Sequence, residues 1–147
     1  MVATDEASAA RSLRSMKSPR TLGILLVDDE PDLREALAQM LSFLGHTVTC
    51  AGTGEQAMEL FGDGTDIDLV VTDLSMPGMG GAGLVSALRS RRKGLPIIVF
   101  SGLDQGIAQS LIANLRNIHF LRKPFTFQAM TEAIENSVPP PSTGAGD

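Results

Sequence analysis

The sequence has no tryptophan, no tyrosine and a single cysteine, Cys50. One cysteine excludes an internal disulfide and leaves no cysteine cluster for zinc, and it fits a reducing compartment. No apolar run approaches the roughly 20 residues that a membrane helix requires. The N-terminal stretch lacks the apolar segment of a secretory signal. A cytoplasmic protein without a membrane contact is therefore expected. Positive charge is also scarce: 12 basic residues stand against 17 acidic ones, a net charge of −5. A surface for direct nucleic-acid binding is not expected from that balance.

What is present is ordinary globular composition. The chain has 147 residues, 43% of them apolar and 20% charged, enough for one domain with a real core. Residues 1–20 (MVATDEASAARSLRSMKSPR) hold only Val2, Leu13 and Met16 as larger apolar side chains and are read as a flexible N-terminal tail. Residues 139–147 are rich in proline and glycine and are read as a disordered C-terminal tail, too short to hold an output domain. The folded part is expected at 21–138.

Within it, strand and helix patterns alternate. LGILLV (22–27) is a continuous apolar run, the mark of a strand covered on both faces. Pro31 opens a helix carrying Leu33, Leu37, Met40, Leu41 and Leu44 at helical spacing, and Gly45 ends it. TVTCA (47–51) is a second strand, and a short helix follows from Glu55 to Phe61. DLVVTD (68–73) is a third strand, followed by a helix marked by Leu84, Val85 and Leu88. IIVFS (97–101) is a fourth strand, followed by a weak helical stretch from Ala108 to Leu115. HFLR (119–122) is a fifth strand, and a last helix from Phe127 to Ser137 has Thr126 as its N-cap. Five such strand–helix units predict an α/β fold: a five-stranded parallel sheet with helices on both faces. Ligands of open α/β sheets bind beyond the carboxyl ends of the strands.

Those ends carry chemistry. Asp28, Asp29 and Glu30 follow the first strand, Asp73 ends the third, Ser101 ends the fourth, and Lys123 follows the fifth. Carboxylates crowded together repel and hold protons unless a cation joins them. A few carboxylates with waters suit Mg²⁺. Lys123 adds a fixed positive charge of the kind that binds phosphate, and Ser101 adds a hydroxyl. Together these are the parts for phosphoryl transfer to a carboxylate. The stretch after Asp73, LSMPGMGG, turns sharply at Pro77 and Gly78, which would leave main-chain carbonyls free for metal.

LLVDDE, VVTDLSMPGMGG, IIVFSG and FLRKPF together resemble the motifs of the receiver domain of two-component response regulators. The spacings match as well: 45 residues from Asp28 to Asp73, 28 more to Ser101 and 22 more to Lys123. The resemblance implies a flavodoxin-like receiver fold with strand order 2-1-3-4-5. It makes Asp73 the phosphoacceptor and assigns Mg²⁺ to Asp28, Asp29, Asp73 and the main-chain carbonyl of Ser75. It places Lys123 on the phosphoryl group, Ser101 as the switch hydroxyl and Phe120 as the aromatic that follows it. The implied donor is a sensor histidine kinase or a histidine phosphotransfer protein. Output would pass through docking to a downstream protein, through phosphorelay or through a phosphorylation-linked homodimer. An alternative is a receiver cut from a hybrid histidine kinase or a larger regulator. The chain departs from the resemblance before the fifth strand, where LRNIHF replaces the usual Gly-Ala.

Two other classes fit less well. A phosphohydrolase with an aspartyl phosphate intermediate would carry a second carboxylate two residues after the nucleophile, where this chain has Ser75. A flavin module would want aromatics and a hydroxyl-rich loop where this chain has DDE. The chain is thus expected to be a signalling domain and not an enzyme with a separate substrate. The remaining residues are read blandly. His46 is expected in an exposed loop and His119 at the start of a strand. RSRRK (89–93) is expected as a solvated helix end that complements the dipole. Met76 and Met79 are read as turn covers, and Cys50 as a buried small residue.

Overall fold

The computed structural model describes residues 21–62, 66–76, 78–103, 105–111 and 117–138. The expected tails at 1–20 and 139–147, the turn residue Pro77 and the far end of the weak helical stretch lie outside the described residues. The elements run β1 (Gly23–Val27), α1 (Pro31–Phe43), β2 (Thr47–Ala51), α2 (Gly54–Gly62), β3 (Leu69–Asp73), α3 (Gly80–Arg91), β4 (Ile97–Ser101), α4 (Gln105–Leu111), β5 (Ile118–Arg122) and α5 (Phe127–Ser137). The strands form one sheet in the order β2-β1-β3-β4-β5, with all neighbours parallel. This is the α/β fold expected, with the order reversing between β1 and β3.

The central strands bury both faces because their side chains alternate into two cores. Leu25, Val27, Val70, Ile97 and Val99 pack with Ala57 of α2, Leu84, Val85 and Leu88 of α3, and Ala108 of α4. Ile24, Leu26, Leu69, Val71, Ile98 and Phe100 pack on the other face with Leu37 and Leu41 of α1 and Met130, Ala133 and Ile134 of α5. Every residue of β3 and β4 is buried, and this explains why their sequences are apolar up to the polar residues at their carboxyl ends.

Local signals set the helix ends. Pro31 starts α1, where its missing N–H costs nothing. Gly45 adopts φ +100° just beyond α1, a conformation open to glycine at little cost. The Thr126 hydroxyl accepts from the Ala129 N–H at 2.9 Å and caps α5. No helix among the described residues is long and apolar enough to cross a membrane.

Three expectations need correction. Cys50 is exposed: β2 is the edge strand of the sheet, and most of its residues are less covered than those of the central strands. His46 is buried, and its Nδ1 accepts the Leu22 N–H at 3.2 Å. That acceptance needs a neutral ring, and burial lowers the His46 pKa below its ordinary 6.5. Residues 90–93 of RSRRK are exposed at the helix end as expected, but Arg89 is half-buried and is not solvated. Its guanidinium donates to the carbonyls of Arg92, Lys93, Leu95 and Asn117. It thereby ties the end of α3 to the entrances of β4 and β5. Arg92 behaves similarly, donating to the Ile67 carbonyl at 2.7 Å. Met76 and Met79 do pack over the core beside the turn, as expected.

Candidate functional site

The parallel register brings four strand ends to one edge of the sheet. Val27 pairs with Thr72, Asp73 with Phe100, and Ser101 with Arg122. Asp28 is therefore the first residue beyond β1 next to Asp73, and Lys123 the first beyond β5. The chain is held there by ladder bonds that run past the strand ends. The Asp28 N–H donates to the Ala51 carbonyl, the Leu74 N–H to Phe100, and the Lys123 N–H to Ser101.

The turn after β3 depends on glycine. Gly78 and Gly80 take φ of +75° and +73°. Gly81 lies so close to β3 that a Cβ there would strike the Asp73 carbonyl and the Leu74 Cα. The Gly81 N–H donates to the Leu74 carbonyl at 3.1 Å. Asp73 can thus end a buried strand while the chain turns at once into α3.

Asp28 is fully buried and Asp73 only 3% exposed, whereas Asp29 is exposed. One carboxylate oxygen from each of Asp28, Asp29 and Asp73 lies within 4.8 Å of the others. Asp73 Oδ1 accepts the Ser75 N–H at 3.1 Å, and Asp73 Oδ2 pairs with Lys123 Nζ at 3.3 Å. Asp28 Oδ1 accepts the Glu30 N–H at 3.1 Å, while its Oδ2 is buried with no partner among the described residues. Burial is the main reason that the Asp28 pKa is raised to about 6, and the neighbouring Asp73 and Glu30 charges push it the same way. A buried carboxylate with one orphaned oxygen, clustered with two more carboxylates, suits a hard divalent cation.

Lys123 Nζ also lies 3.8 Å from Glu30 Oε1 and 5.2 Å from the centroid of the Phe100 ring. Ser101 is fully buried, and its hydroxyl accepts the Leu103 N–H at 2.9 Å. Phe120 is half-buried and packs on the core under α2, α3 and α4. It pairs with Val99 in register and so lies on the same sheet face as Ser101. Ser75 is exposed, with its main chain against Asp73. All the residues picked out by sequence gather at this edge except Phe120, which stands one alternation back along β5.

Sequence reasoning gave no role to Glu30, Arg34 or Phe100. The Arg34 guanidinium donates to the Asp28 carbonyl at 2.7 Å and anchors the loop from behind. Glu30 stood in the acidic run, so its presence was visible and its pairing was not. Phe100 had no signal beyond its place in an apolar strand.

Residues 24–135 match the sequence model of the response regulator receiver domain. The chain belongs to that family. Among relatives of this receiver, a chemotaxis protein CheY homolog from Campylobacter jejuni is 33% identical over 84% of the chain and 95% of its own length. The transcriptional regulatory protein TcrA from Mycobacterium tuberculosis is 34% identical over 84% of the chain and 51% of its own length. The receiver thus spans about half the length of some curated regulators it matches, and nearly all of the chemotaxis protein. Response regulator protein TrrA from Thermotoga maritima, solved in complex with Mg²⁺-BeF, superposes with a TM-score of 0.72 at 29% identity, covering 80% of this chain and all of that one. Receivers of this family act in two-component signalling and take phosphoryl groups from histidine kinases or phosphotransfer proteins.

Proposed function

We propose that this receiver accepts a phosphoryl group on Asp73 in the cytoplasm, from a phosphohistidine of a sensor histidine kinase or histidine phosphotransfer protein. The observation that carries the reading is the 3.3 Å pairing of Lys123 with a nearly buried Asp73, beside an Asp28 oxygen left without a partner. An Asp73 carboxylate oxygen attacks phosphorus, and the bond from phosphorus to the donor nitrogen breaks. Its electron pair stays on the imidazole, which takes up a proton from solvent. The product is an acyl phosphate, which water returns to carboxylate and inorganic phosphate.

Asp28, Asp29 and Asp73, with the main-chain carbonyl of Ser75, are the residues that would hold Mg²⁺. Bound there, the ion supplies positive charge to the carboxylates and to the phosphoryl oxygens. Lys123 moves its ammonium from the Asp73 carboxylate to a phosphoryl oxygen. Ser101 turns its hydroxyl toward the same group and lets go of the Leu103 N–H. Phe120, on the same face, then rotates inward. The phosphoryl group shifts an existing equilibrium by no more than its differential contacts in the two states. The altered surface serves docking, phosphorelay or homodimer formation. The half-length match to TcrA favours a second reading, in which the chain is the receiver of a larger regulator.

The test is intact-mass spectrometry after incubation with acetyl phosphate, with and without Mg²⁺. A single Mg²⁺-dependent adduct, absent in Asp73→Asn, is expected. Labelling that persists in the variant would sink the assignment.

A further inference from the structure

We propose that Glu30 is a specificity-determining residue for the phosphodonor, setting through its share of the Lys123 ammonium the negative charge that a donor meets at Asp73. This rests on the reading of Asp73 as phosphoacceptor. Lys123 Nζ serves two carboxylates at once, Asp73 Oδ2 at 3.3 Å and Glu30 Oε1 at 3.8 Å. The three side chains step outward from the core: Asp73 is 4% exposed, Lys123 24% and Glu30 65%. Glu30 is therefore the solvent-side member of the triad, 3.8 Å from the ammonium that pairs with Asp73.

Its placement is built by the main chain. Glu30 occupies the N-cap of α1, with extended backbone at φ −91° and ψ 109° ahead of Pro31. Its N–H donates to Asp28 Oδ1 and its carbonyl accepts from the Arg34 N–H. Its side chain makes no capping hydrogen bond. A residue that favoured capping, such as Ser or Asp, would turn its oxygen back to the helix. The longer glutamate leaves the helix uncapped and reaches Lys123 instead. An exposed ion pair at this distance adds little to stability. Its consequence is the local potential, and the energy of an arriving group in that potential scales with the group's charge.

The test compares two donors of different charge at neutral pH, acetyl phosphate as a dianion and phosphoramidate as a monoanion. Initial rates of Asp73 labelling are measured by intact mass on the full chain, at saturating Mg²⁺, for wild type, Glu30→Gln and Glu30→Asp. At low salt Glu30→Gln is expected to speed acetyl phosphate by about fivefold and phosphoramidate by about twofold. The gap should close in about 0.5 M salt, where screening acts within a few ångströms. Glu30→Asp keeps the charge but favours capping, which draws it back from Lys123, so its donor ratio should fall between those of wild type and Glu30→Gln. An unchanged donor ratio in Glu30→Gln, or an equal and salt-independent change with both donors, overturns the proposal. Failure of wild type to take label from either donor overturns the phosphoacceptor reading itself, which separates the two failures.

Discussion

Lys123 Nζ meets Asp73 Oδ2 at 3.3 Å across 50 residues of sequence, and the same ammonium sits 5.2 Å from the Phe100 ring centroid. The cation offsets a carboxylate that is almost out of water. Lys123→Ala removes it and leaves Asp73 buried beside Asp28. Without metal, the variant is expected to lose about 1–3 kcal/mol of stability in chemical denaturation, the scale for stripping a buried charge of its partner. Mg²⁺ should restore most of that loss while Asp73 labelling stays at least about tenfold slower. Equal denaturation midpoints for variant and wild type without metal would contradict this account.

On the proposed function, Asp28 would couple Mg²⁺ binding to pH. Its carboxyl ionises near 3.8 in an unfolded chain and at about 6 in the fold. Between those values the folded state holds the extra proton, so its contribution to stability falls as pH rises and is lost above about 6. A cation needs the ionised form. Mg²⁺ is therefore expected to raise the melting temperature more at pH 7.5 than at pH 5, and Asp28→Asn should abolish most of that difference. Melting curves at the two pH values, with and without Mg²⁺, check it.

His46 works in the opposite sense. Its folded pKa lies below 6.5, so its contribution is complete above pH 6.5 and is lost as pH falls below it. Protonation puts a hydrogen on Nδ1 and breaks the bond from the Leu22 N–H. Comparing wild type with His46→Gln in urea at pH 7.5 and pH 5.5 isolates this residue. The stability gap between the two proteins should shrink at the lower pH.

Arg89 holds four main-chain carbonyls with one side chain. Arg89→Ala is expected to cost about 1–2 kcal/mol, since the partly buried Leu95 carbonyl and three exposed ones lose a charged donor. Amide exchange should quicken at 92–95 and at Asn117 before it does in β3. Uniform exchange across the sheet would argue that Arg89 acts on the whole fold instead.

Much of this was open to inspection in the sequence. TVTCA and IIVFS coincide with β2 and β4 residue for residue. Thr126 caps α5 as its position predicts. Asp28, Asp73, Ser101 and Lys123 could be found because parallel strands must deliver their last residues to one edge. Cys50 and His46 were misread for a shared reason. Burial of a small or amphipathic side chain depends on which strand lies at the edge and what covers it. Cys50 sits on the outer strand, while His46 lies under Leu22 from a segment 24 residues away.

The sequence by itself determined the alternation of strands and helices, the helix ends at Pro31, Gly45 and Thr126, and the gathering of acids and a lysine at one sheet edge. These follow from periodicity, backbone preference and chain direction, which act over a few residues. Only the tertiary structure decided that Arg89 would staple three segments, that Glu30 would share Lys123 with Asp73, and that one Asp28 oxygen would be left without a partner. Those outcomes depend on distances between side chains far apart in the chain, and packing alone sets such distances.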